Sequence, residues 1–182
     1  LYQLHNKYII SPIKSGFMLI DQHVAHLRIM YERYLYQLEH KKSSTQKLLF
    51  PQSVELPVAD ATLLLELLPQ LHILGLEIEE FGANSFVVHG LPSELSQQDA
   101  STLINQFLEQ FKSNIDLKIE LHDSIARTLA RQAAIKSGKV LEINEMQQLI
   151  DELFACQSPY IGPYGRKTFI SLDMAELSKR FE

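Results

Sequence analysis

Asp21 and His23 stand two residues apart, where the apolar run Gly16–Ile20 gives way to a helical pattern. A carboxylate and an imidazole at a strand-to-helix junction would, with a glutamate one turn along, converge on one point. That is ligand geometry for Zn²⁺ or Mn²⁺. Taken by themselves the two residues have a plainer and commoner use. A short carboxylate before a helix caps its free N–H groups, and a half-buried histidine packs. His26 is the only further imidazole nearby. Cys156 is the single cysteine, so an internal disulfide and a multi-cysteine zinc knot are both excluded. It points weakly to a reducing compartment. No Gly-rich phosphate loop is present, so ATP is not an expected ligand.

The charge balance, 17 Lys+Arg against 22 Asp+Glu, gives a net −5. That argues against tight DNA binding over the whole surface, because phosphate affinity scales with the cations nearby. Arg127, Arg131, Lys136 and Lys139 lie close in sequence, with Arg166 and Lys167 later. The first four are candidates for a local DNA contact; a solvated helix face is the default reading. With 46% hydrophobic and 21% charged residues, the chain can bury a core without staples. No apolar run approaches bilayer length, and Leu1 to Asn6 do not read as a signal peptide. The chain starts without Met inside a strand-like pattern, which suggests a piece of a longer protein.

These side chains need elements to place them. Residues 7–13 and 16–20 read as a hairpin turning at Lys14-Ser15-Gly16, with Pro12 weakening the first strand or setting it at an edge. A helix is expected over 24–39, with Leu27, Met30, Tyr31, Tyr34, Leu35 and Leu38 as one stripe. A polar loop, 40–46, leads to the apolar patch Leu48-Leu49-Phe50 and its breaker Pro51. Asp60 opens a second helix to about Leu74, interrupted or ended by Pro69. Strands at 76–81 and 85–89 flank Gly82-Ala83-Asn84. Helices follow at 100–111, at 121–136, and after a cap at Asn144. A Pro/Gly-rich loop at 157–167 precedes a strand at 168–172, and Asp173 caps a short last helix. The pattern is α+β, a mixed α/β chain in two lobes. Residues 1–46 plus 140–182 would form one discontinuous lobe of sheet and helices. Residues 47–139 would form an inserted α/β external lobe.

The stretch Ile20–Arg33, IDQHVAHLRIMYER, resembles the DQHA(X)2E(X)4E motif of C-terminal domains of MutL-type mismatch-repair proteins. Leu129–Leu141 resembles the family's ACK- or ACRxAIK segment, and Gly162–Lys167 falls where the family has CPHGRP. The resemblance runs in order along essentially the whole chain. It also departs from the family. Asp21, His23 and Glu32 are kept, but Leu27 stands at the metal-ligand glutamate, Arg131 at the middle cysteine, and Gly162 and Tyr164 at the last cysteine and histidine. Leu27 has no lone pair for a metal, and Arg131 would repel a cation. Cys156 lies six residues before the expected cysteine and is expected to pack as a small core side chain. The resemblance therefore implies a domain whose metal-dependent nuclease is lost, with Asp21, His23 and Glu32 as a vestigial motif and no bound metal.

Gln46-Lys47-Leu48-Leu49-Phe50-Pro51 resembles the family's Gln-x-(Leu/Ile)-(Leu/Ile)-x-Pro segment for the sliding clamp. Gln46, Leu48, Leu49, Phe50 and Pro51 would then be the docking residues, the alternative being an edge strand packed in its own lobe. The resemblance implies a homodimerising scaffold that tethers upstream ATPase heads, which would carry ATP and Mg²⁺ outside this chain. It also implies the clamp, mismatch-recognition protein and helicase as partners, weak or indirect DNA contact, and a bacterial cytoplasmic location near the nucleoid. Two rivals stand beside it. One is a metal-dependent nicking endonuclease using Asp21, His23 and Glu32. The other is a docking module that works as a monomer.

Overall fold

The computed structural model describes residues 1–42, 44–116 and 119–181. They fall into two compact units, Leu1–Glu32 with Ala134–Glu182, and Arg33–Ala133. The break at Glu32/Arg33 lies inside a helix, where no change of composition marks it.

The first unit is a four-stranded antiparallel sheet in the order β1-β2-β3-β7 with helices. β1 (Tyr2–Leu4), β2 (Tyr8–Ile13) and β3 (Gly16–Asp21) form a meander, and β7 (Phe169–Asp173) pairs with β3. The hairpin and the C-terminal strand thus share one sheet. Pro12 sits in an inner strand, yet β1 pairs only with Tyr8–Ile10, so the Pro12 end of β2 is open on that side and lacks no ladder donor. α1 (Gln22–His40) starts directly after β3. Ile9 and Ile20, paired across β2 and β3, pack with Ala25 and Ile29 of α1 and with Met146, Leu149, Ile150 and Leu153 of α5 (Ile143–Ala155). α5 starts one residue before the anticipated cap: Glu145 Oε2 accepts from the amide of Glu142, and Asn144 lies in the first turn. In α6 (Met174–Ser178), Asp173 Oδ1 accepts from the amide of Glu176, the cap its position suggested.

The second unit holds a three-stranded antiparallel sheet in the order β4-β6-β5, from β4 (Gln46–Glu55), β5 (Glu77–Glu80) and β6 (Ser85–Leu91). α2 (Val58–Ile73), α3 (Ala100–Asp116) and α4 (Leu121–Ala133) complete it. Pro69 neither stops nor ends α2, which runs on to Ile73. Pro69 is on the exposed side, where water can meet the freed carbonyl, while Leu64, Leu67 and Leu71 hold the buried side. α4 ends three residues earlier than its pattern suggests. Among the described residues no helix is long and apolar enough to cross a membrane.

Candidate functional site

Asp21 ends β3 and is buried, and both its oxygens are engaged. Oδ1 accepts from the amides of His23 and Val24, each at 3.1 Å, so it caps α1. Oδ2 accepts from Arg166 Nη2 at 3.1 Å. His23 is half-buried, with Nδ1 at 2.7 Å from the carbonyl oxygen of Ile135. Because that partner is an acceptor, Nδ1 carries the proton. His26, almost one turn along, accepts the Ile135 amide on its own Nδ1 at 3.1 Å. The two imidazoles thus hold both backbone polar groups of one residue, Ile135.

Glu32 is used in the same manner. Its carboxylate accepts from the amides of Gln157 (2.7 Å) and Ser158 (3.1 Å) and pairs with Arg28 at 3.3 Å. Arg28 Nε donates to the carbonyl of Ile161 at 2.6 Å. Asp21 with Arg166, and Glu32 with Arg28, therefore fasten the 157–167 loop to α1 near both its ends. Inside the loop the amide of Gly162 donates to Arg166 O at 2.7 Å, and Thr168 Oγ1 donates to Pro159 O.

The residues do not fit the metal that the family motif implies. Leu27 is buried at 6% exposure and has no donor atom. A Cβ placed on Gly162 would lie 2.8 Å from Val24 Cγ1, closer than real carbon contacts allow. Asp21 and Glu32 already have guanidinium and amide partners. Among the described residues no group of three or more His, Cys, Asp and Glu could hold a metal ion. Tyr164 is 40% exposed. Cys156 is half-buried with Sγ against the carbonyl of Glu152. Burial, then the nearby Glu32 carboxylate, push its thiol up to about 11.

Arg131 lies in the second unit and donates to Gln110 Oε1 at 2.7 Å, while Arg127 pairs with Asp123 at 2.8 Å. Lys136 and Lys139 lie in an exposed turn of the first unit. The four basic residues are thus divided between the units. In the clamp-like segment β4 is an edge strand whose pairing with β6 breaks between Lys47 and Gln52. The break turns Leu49 and Phe50 outward, at 94% and 81% exposure. Leu48 is half-buried and lines a cavity of about 500 Å³ with Pro51, His72 and His89.

Three roles escaped the sequence reading: the packing of Val24 against Gly162, the hold of Arg28 on the loop, and the pairing of Arg166 with Asp21. Val24 carried a visible signal, since the DQHA motif has alanine there. The partners of Arg28 and Arg166 lie across the fold and left no local trace. A further feature is the outward face of the first sheet. Register places Tyr2, Ile10, Leu19 and Ile170 in one row across all four strands, with Pro12, Phe17 and Leu172 in the next. Tyr2 is 63% and Ile170 44% exposed.

A family model described as MutL C terminal dimerisation domain matches residues 1–141. The DNA mismatch repair protein MutL of Chlorobaculum tepidum is 38% identical over 182 residues, which is all of this chain and 29% of that protein. The protein of the same name from Chlorobaculum parvum is 37% identical over the same span. That of Flavobacterium johnsoniae is 36% identical over 181 residues, 99% of this chain and 28% of that protein. This chain therefore spans under a third of the length of these relatives. With the family model matching residues 1–141 and relatives 36–38% identical over essentially the whole chain, the chain belongs to the MutL C-terminal dimerisation domains.

Proposed function

We propose that this chain pairs two copies of a mismatch-repair protein through the outward face of β1-β2-β3-β7, and that it does not itself cut DNA. The carrying observation is the cross-strand row Tyr2, Ile10, Leu19 and Ile170, backed by Pro12, Phe17 and Leu172. A sheet face meant for water alternates polar residues outward; this one is apolar on both rows. A two-fold axis through it would let one patch cover its own copy. Pairing would tether the ATPase heads expected elsewhere in the parent protein and raise their local concentration. ATP and Mg²⁺ would belong to those heads, and this domain would need no cofactor. The motif residues Asp21, His23 and Glu32 serve as structural anchors in this reading. The setting would be the bacterial cytoplasm.

Light scattering over a wide concentration range tests the pairing. The expected mass is twice 20.9 kDa, persisting on dilution. Leu19→Glu, in the middle of the row, is expected to give a folded monomer. A wild-type monomer at all concentrations would overturn the reading.

A docking role for Gln46–Pro51 is supported by the outward display of Leu49 and Phe50. Neither packs in its own unit, unlike the leucines of an ordinary edge strand. The partner proposed is the sliding clamp, with the mismatch-recognition protein and helicase of the pathway docking elsewhere. Leu49→Ala with Phe50→Ala should abolish pull-down by purified clamp and leave the melting temperature within a degree or two. Undiminished pull-down would remove the segment from the interface.

A further inference from the structure

The place where a metal would sit is closed in two ways at once, by packing and by charge. Val24 is 2% exposed on the first turn of α1, with its amide held by Asp21. Its Cγ1 lies 2.8 Å from the position a Cβ would take on Gly162. Neither side yields easily. Gly162 is buried, its amide is tied to Arg166 O, and its carbonyl accepts from Gly165. The same turn is closed by the Ile161–Lys167 bridge. Space that a side chain at 162 would need is filled by a valine methyl, and protein interiors compress little. The two surviving carboxylates are neutralised by guanidinium groups, Asp21 by Arg166 and Glu32 by Arg28. The loop is therefore held on α1 by arginines and backbone amides, a task for which no cation is needed.

Resting on the non-cutting reading, we infer that Val24 and Gly162 are a coupled pair that plugs the former cation site. Restoring the three missing ligand side chains of this unit, at Leu27, Gly162 and Tyr164, does not restore metal binding while Val24 keeps its methyl groups. The observation behind this is steric and belongs to this chain: valine at 24 and a side chain at 162 exclude one another.

The test compares the wild-type chain, the triple variant Leu27→Glu/Gly162→Cys/Tyr164→His, and the same triple with Val24→Ala. Zinc content is measured after equilibrium dialysis against Zn²⁺, alongside melting temperature. The triple is expected to hold under about a tenth of an equivalent, and the quadruple about one, with its melting temperature raised by the metal. Equal zinc in triple and quadruple overturns the inference, and so does a quadruple that binds none. Misfolding of the triple is covered by a cycle of Gly162→Ala and Val24→Ala. Gly162→Ala should cost stability in the parent and much less in the Val24→Ala background, whereas additive costs would overturn the coupling. Stoichiometric zinc on the wild-type chain would instead sink the non-cutting reading itself, so the two failures are distinguishable.

Discussion

Gln22, between Asp21 and His23, is wholly buried. Its Nε2 donates to the carbonyls of Asn6 (2.8 Å) and Lys139 (3.0 Å), and its Oε1 accepts from Gln3 Nε2 at 2.6 Å. Gln22→Ala leaves each carbonyl one donor, the amide of Gly138 on Asn6 and Gln3 Nε2 on Lys139, but removes three hydrogen bonds that tie these segments together. Roughly 1–3 kcal/mol of stability should be lost, read by urea unfolding. Asp21→Ala removes a helix cap and is expected to cost about 0.5–2 kcal/mol in the same assay. Cys156 offers a pH readout. Its thiol is raised in the folded chain to about 11, so the folded form binds that proton more tightly than the unfolded one. The linked stability is present below the ordinary thiol range near 9.0 and is lost as pH rises through about 11. At neutral pH alkylation of Cys156 should be far slower in the native chain than after unfolding; equal rates would contradict the burial. The cap at Asp21 was legible from sequence because capping is local. The Arg166 on the same carboxylate, 145 residues away, was not, because nothing in a linear pattern pairs them. Leu27 could be excluded as a ligand from sequence because its chemistry alone decides. The steric conflict of Val24 with Gly162 needed coordinates.

Helix and strand identities followed from periodicity, while several ends did not. α4 stops at Ala133 although its apolar spacing continues. The reason is tertiary: the amide and carbonyl of Ile135 are taken by His26 and His23 rather than by a further helical turn. Pro69 misled in the other direction, since a proline on an exposed helix side can be carried by the packing of the opposite side. The hairpin read correctly because turn residues and alternating strands agree there. Its Gly16 has a use beyond the turn. A Cβ at Gly16 would collide with the carbonyl oxygen of Leu172, across the β3–β7 pairing. Gly16→Ala should wedge these strands apart and destabilise the chain by about 1–3 kcal/mol. It should also loosen the outward face, so a fall in dimer affinity is expected with the fall in melting temperature. An unchanged melting temperature would show that the strands do not approach this closely.

The charge of the whole chain is unevenly placed. Residues 33–133 hold 8 Lys+Arg against 13 Asp+Glu and so carry the entire excess of −5, while the remaining residues hold 9 of each. The acidic unit is the wrong surface for phosphates, and the other is merely balanced. Duplex DNA is expected to show no measurable anisotropy change with this chain at about 0.15 M salt. Tight binding there would reveal a basic patch that counting charges misses. The discontinuity of the first unit has a temporal consequence. β3 finds its partner β7 only after the intervening chain has been made, since Gly16 pairs with Asp173. Residues 33–133 are contiguous and can collapse while synthesis continues. The row that would join two copies lacks Ile170 until the last strand arrives. On a polysome, neighbouring nascent chains would therefore emerge without a finished sticky face, and association would wait until the end of this segment has left the ribosome.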